Sequence, residues 1–158
     1  MELILQSFDN ILDLNNSFKE VVLLSLYVSV LATIISSIIS IYLSSYMAID
    51  NFSGKNTITL IFNSLMSLPP VVVGLILYII FSSSGVLGFT DLLYSPQIMI
   101  IAQFIIITPI IISLSLKSLN DRYNLLDNYL FSLNASKNKI RRTIIYESRY
   151  DLLIIVIT

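Results

Sequence analysis

Three long stretches without a single charged side chain decide what this chain can become. Residues 21–49, 57–81 and 98–116 contain no Lys, Arg, Asp or Glu. A helix needs about 20 mostly apolar residues to cross roughly 30 Å of hydrocarbon, and each stretch is about that long or longer. Backbone groups inside lipid must pair within their own segment, so transmembrane helices are expected. Composition agrees: 56% of the 158 residues are hydrophobic and 12% charged, where soluble domains carry about 25% charged residues. A fourth apolar run, 152–157, follows Asp151 and is too short to cross. It reads as the opening of a further helix in a longer protein. The expected fold is all-α: a polytopic bundle of three complete spans and the start of a fourth. Residues 1–20 form an extracytoplasmic segment, and 21–158 form an incomplete membrane domain.

Charge then orients the bundle. Residues 1–20 hold Glu2, Asp9, Asp13 and Glu20 against Lys19, whereas a secretory signal peptide starts with a positive region. Seven of the nine Lys and Arg residues lie between Lys117 and Arg149. Lys55 sits in the first loop, and no Lys or Arg sits in the second, 82–97. The positive-inside rule therefore puts the N-terminus outside, 51–56 inside, 85–96 outside and 117–150 inside.

Much chemistry is excluded by what is missing. With no Cys and no His, thiolate and imidazole ligands and nucleophiles are unavailable, so no metal site and no catalytic residue is expected. The spans hold no Asp, Glu, Lys or Arg, which argues against a proton relay or an ion-coupled carrier. Gly54-Lys55 is the one hint of a phosphate-binding loop, but that motif needs Gly where Ile49 stands and Ser or Thr where Asn56 stands. Any energy must come from another subunit.

The polar residues inside the spans are hydroxyls, amides and prolines. Ser25, Ser29, Thr33, Ser36, Ser40 and Ser44 share one face of the first span at helical spacing. Such a face is either a close-packing seam or the wall of a hydrated path. In the second span Asn63, Ser64 and Ser67 precede Pro69, Pro70 and Gly74. Two prolines remove two backbone donors and disfavour helix before them, which predicts a break near mid-membrane. Irregular backbone at that depth is tolerated where protein buries it or where it lines a cavity. Gln103 and Pro109 repeat the theme in the third span. Ser64, Ser67, Pro69, Pro70, Gly74, Gln103 and Pro109 are thus the candidate pathway residues.

After Lys117 the pattern becomes amphipathic. Tyr123, Leu126, Leu130 and Leu133 form one stripe. Asn134 can take a left-handed corner, Ser136 is a candidate N-cap, and a short helix follows with Ile140 and Ile144 among Lys137, Lys139, Arg141 and Arg142. A projecting elbow of this kind either docks in a groove on a soluble partner or fixes topology against lipid headgroups.

These residues carry a resemblance. The run Leu133-Asn-Ala-Ser136 with Thr143-Ile-Ile-Tyr-Glu-Ser-Arg149 resembles the cytoplasmic loop of bacterial and archaeal ABC importer permeases. Leu68-Pro-Pro-Val-Val-Val-Gly74-Leu75, Ser84-Gly-Val-Leu-Gly88, Tyr94-Ser-Pro96 and Ile101-Ala-Gln103 are similar to permeases of the tungstate type, relatives of molybdate and sulfate permeases. The chain departs from the family at Asn128-Tyr129-Leu130, where a Glu-Ala-Ala triplet is expected, at Asn134 in place of Gly, and at Tyr150 in place of Pro. The resemblance implies a type I importer permease in a cell membrane, without enzymatic activity or cofactor and without nucleic acid as partner. It implies a permease homodimer, an ABC ATPase subunit and an extracytoplasmic solute-binding protein. By the same resemblance, Leu133, Asn134, Ala135, Ser136, Lys139, Ile140, Arg142, Ile144 and Glu147 make the ATPase coupling. The rival reading is a membrane anchor or assembly protein whose basic elbow binds lipid or a scaffold.

Overall fold

The computed structural model describes residues 16–132 and 136–157, and their regular structure is helical throughout. Six α-helices follow one another: α1 (Asn16–Ile49), α2 (Lys55–Leu65), α3 (Pro70–Phe81), α4 (Pro96–Ser132), α5 (Lys137–Glu147) and α6 (Arg149–Ile157). At about 1.5 Å per residue, α1 and α4 each exceed the thickness of a bilayer core. The stretches Phe18–Ile49 and Pro96–Leu126 are long and apolar enough to cross one.

The hydroxyl face of α1 packs against α4. Ser36, Ser40 and Ser44 are fully buried. Ser40 Oγ donates to the Thr108 carbonyl at 3.3 Å and Ser44 Oγ to the Ile112 carbonyl at 3.2 Å. Thr108 Oγ1 meets Ser36 Oγ at 3.4 Å, and Gln103 Nε2 reaches Ser29 Oγ at 3.4 Å. Such bonds contribute about 0.6 kcal/mol each inside membranes, so the close approach that small side chains permit matters more. The structure thus makes the Ser36, Ser40 and Ser44 part of this face a seam, while Ser25 and Ser29 are exposed. Partners rise together along the two helices, from Ser29 with Gln103 to Ser44 with Ile112, so α1 and α4 run parallel.

Parallel helices require the chain between them to return. It does so through a broken pair, α2 and α3, bent by 95° at 66–69. Leu68 precedes Pro69 and is steered out of the helical region, while Pro70 opens α3 at a position where a missing N–H costs nothing. The end of α2 tightens instead, with Ser67 N bonded to the Ser64 carbonyl and Leu68 N to the Leu65 carbonyl, both at 3.1 Å. Each half, 11 and 12 residues long, is too short to cross alone. Val73, Leu77 and Phe81 of α3 pack beside Ile98, Ala102 and Ile106 near the start of α4, whereas Thr59 and Asn63 of α2 face Ser113 and Asn120 further along it. The pair therefore runs antiparallel to α4 and amounts to one returning segment, hinged at the level of Pro109.

The turn after α3 is closed by two glycines. A Cβ on Gly85 would meet the Ile79 and Ile80 carbonyl oxygens at 2.3 and 2.4 Å, and one on Gly88 the Ser82 carbonyl at 2.4 Å. Only a bare backbone lets the loop fold over the last turn of α3, where Leu87 N bonds to the Ile80 carbonyl at 2.9 Å.

Candidate functional site: a basic elbow and a broken span

The charge change at Lys117 does not end the third helix. α4 runs unbroken from Pro96 to Ser132, through Pro109 and out of its apolar part. Tyr123, Leu126 and Leu130 carry the expected stripe into a cluster built on Met47, Ala48 and Ile49 of α1, Leu116 and Leu119 of α4, and Leu152 of α6. Leu133, Asn134 and Ala135 lie outside the described residues.

Ser136 is the N-cap residue of α5, as expected, but it caps without its side chain. Its carbonyl accepts from Ile140 N at 3.0 Å, and no side-chain capping bond forms. α5 then divides into two faces. Ile144 is 1% exposed and Ile140 half-buried, both packed into the same cluster. They seat the helix on the bundle, so a direct partner contact through Ile144 is closed off by burial. Lys139, Arg142 and Glu147 stand on the exposed side.

The other two cations have a partner within the chain. Lys137 Nζ lies 2.6 Å from Asp50 Oδ1, and Arg141 Nη2 lies 3.1 Å from Asp50 Oδ2. The Arg141 guanidinium also stacks 3.9 Å over the Tyr46 ring, a favourable placement of a cation on an aromatic face. The Lys137 hydrogen bond holds the Asp50 carboxyl below its ordinary pKa, against a smaller opposing effect of burial. The same bond raises the Lys137 ammonium. Sequence reasoning missed this clamp, although a signal existed: Asp50 is the one carboxylate between Glu20 and Asp91, at the very end of a span. Lys55 closes the same end, its Nζ 3.4 Å from the Ala48 carbonyl, and Gly54 turns the chain with φ of 94°. The Gly-Lys pair is a helix corner.

Beyond α5 the chain turns at Ser148, fully buried, into α6. Tyr150, standing where the family expects Pro, offers its ring to Arg149 at 4.6 Å, and Tyr146 does so at 4.2 Å.

The candidate pathway residues do not gather into one pocket. Ser64, Ser67, Pro69, Pro70 and Gly74 are exposed around the break, whereas Pro109 is buried and Gln103 is half-buried in the α1–α4 seam. Two hollows lie between the broken pair and α4. One of about 210 Å³ is apolar and lined by Leu65, Met66, Leu68 and Pro109. The other, about 370 Å³, is more polar, with Thr59, Asn63, Ser113, Lys117, Asn120 and Asp121 on its walls. Ser113 Oγ is buried there with no hydrogen-bond partner among the described residues. None of these lining residues was among the candidate pathway residues, although Asn63 stands just before them in the second span and Lys117 opens the basic segment. Among the described residues, no group of three or more His, Cys, Asp or Glu side chains is placed to hold a metal ion.

Long apolar helices, a returning segment hinged at a proline pair and a basic helix at one end are the features of an all-α membrane protein. Comparison with known proteins makes the class specific. The chain is 36% identical, over its whole length and 71% of the relative's, to the tungstate uptake system permease protein TupB of Peptoclostridium acidaminophilum. It is 30% identical to a probable anion ABC transporter permease protein of Haloferax volcanii, over 89% of this chain and 61% of that one. TupB of Campylobacter jejuni is 39% identical over 66% of this chain and 44% of its own length. No protein-family model matches the chain. The chain belongs to the family of ABC transporter permeases of the tungstate and anion uptake type.

Proposed function

We propose that this permease imports an oxyanion, tungstate ahead of molybdate or sulfate, across the cell membrane of a bacterium or archaeon, driven by a separate ABC ATPase. Relatives named for tungstate and for anions support the solute class. The N-terminus and the 82–97 loop face outward, where a solute-binding protein delivers the anion, and the elbow faces the cytosol. That orientation rests on the basic residues after Lys117 and the positive-inside rule. None of the described residues of α2 is buried, which suits a helix covered by a second copy in a homodimer.

The observation that carries the proposal is the two-faced α5. Its apolar side is seated on the bundle, while Lys139, Arg142 and Glu147 are left free to meet a partner. The ATPase grips this free face together with Leu133, Asn134, Ala135 and Ser136, and Ile140 and Ile144 pass the displacement into the bundle. The anion moves along the broken pair, past Gly74, the Pro69-Pro70 hinge, Ser67 and Ser64 toward the polar hollow, on the side of α4 marked by Pro109. Gln103 supports this wall from the seam. With no Lys or Arg in 57–81 or 98–116, hydroxyls and amides solvate the anion weakly and let it pass, where a buried cation would retain it; Lys117, at the hollow, is exposed.

Charge reversal tests the docking. Lys139→Glu with Arg142→Glu, in the full-length permease, should lower co-purification of the ATPase by about tenfold or more through like-charge or lost-pair effects. The thermal unfolding of the spans should not change. Undiminished co-purification contradicts the proposal.

A further inference from the structure

We propose that Asp50 is the positioning residue that ties the elbow to α1, so that a displacement of α5 is delivered to the first span. The inference rests on the reading of α5 as the ATPase-docking helix and adds the route by which the stroke enters the membrane. α5 meets the bundle in two ways. Its Ile140 and Ile144 side packs on residues of both α1 and α4, and apolar contact is non-directional, so this seat alone lets α5 slide or turn. Among the described residues, the ion pairs of α5 go to the Asp50 end of α1. Lys137 and Arg141, one turn apart on α5, each take one oxygen of the same carboxylate, and Arg141 is also held over Tyr46 one turn earlier on α1.

Two oxygens bound by two side chains from successive turns fix both the position and the rotation of α5. Arg141 and Asp50 are mostly shielded, with side chains 13% and 18% exposed, whereas Lys137 is 71% exposed. Arg141 thus forms the sheltered half of the clamp and Lys137 the half open to solvent. α1 in turn is locked along its hydroxyl seam to α4. A pull on α5 therefore moves α1 at its Asp50 end and reaches the rest of the bundle through the seam.

The test uses the full-length permease with its ATPase and binding protein in proteoliposomes, measuring tungstate uptake and ATP hydrolysis together. Asp50→Asn should keep the ATPase bound, because the Lys139 and Arg142 face is untouched, yet lower the uptake per ATP hydrolysed by about tenfold. Asp50→Glu, which keeps the charge, should restore most of that ratio. A permease that merely folds less well lowers uptake and stimulated hydrolysis in proportion and leaves the ratio unchanged. Wild-type uptake per ATP in Asp50→Asn overturns the inference, as does an Asp50→Glu variant equally uncoupled. If Asp50→Asn fails to assemble, Lys137→Gln, on an exposed side chain, takes its place: a partial fall in the ratio supports the clamp, and a wild-type ratio overturns it. Failure of the wild-type permease to bind the ATPase at all sinks the docking reading instead, and is seen before any variant is made.

Discussion

Asp50 shows how one carboxylate at the end of a span can organise its surroundings. Its pKa is depressed, first by the Lys137 hydrogen bond, and the Lys137 pKa is raised by the same contact. A depressed carboxyl contributes stability above its unfolded pKa and loses it as pH falls through the folded value. A raised ammonium contributes below its unfolded pKa and loses it as pH rises through the folded value. With unfolded values of about 3.9 and about 10.4, the clamp stays closed from about pH 5 to about pH 9 and opens in acid only as the pH falls through the depressed Asp50 value, below the ordinary carboxylate range. Hydrogen exchange of the α5 amides, corrected for intrinsic rates, checks this. Protection should be flat across the neutral window, and a marked loss between pH 5 and pH 9 contradicts the clamp as the element that holds α5.

At the scale of elements, the proline pair makes the sharpest prediction. Pro69→Ala with Pro70→Ala restores two backbone donors and removes the steric bar on Leu68. The two halves should then join into one helix spanning about 40 Å from Lys55 to Phe81. Spin labels at Asn56→Cys and Ser82→Cys, in a chain that has no cysteine of its own, should move apart by roughly 15 Å on straightening. An unchanged separation shows that packing against α4, and not the prolines, holds the bend. This break was legible in the sequence because proline acts locally. So were the charge-free spans and the short helix after Ser136. Less was legible where two signals coincide. Lys117, Asp121 and Arg122 mark where α4 leaves its apolar part, but leaving lipid does not end a helix, and α4 continues to Ser132. The small face of α1 suits a seam and a hydrated wall equally well until its partner is known. Asp50 gave no periodic pattern, and its role depends on cations 87 and 91 residues away in sequence. The polar lining of the larger hollow was illegible for a similar reason: its residues come from α2 and α4 and meet only after the hinge has folded.

Across the whole molecule, one arrangement follows from these parts. α1 and α4 run parallel along a hydroxyl seam, the hinged pair returns along α4, and both long helices deliver residues to the cluster that seats α5. α5 is seated at the Met47–Ile49 end of that pair, and the hinge packs on α4 at the level of Pro109. The most direct measurement of the central claim is tungstate accumulation by proteoliposomes holding the full-length permease, with the ATPase and the binding protein added or withheld in turn. The account predicts accumulation only when both are present with ATP, and its loss in the Lys139→Glu, Arg142→Glu permease. Accumulation at an undiminished rate with the ATPase withheld contradicts it.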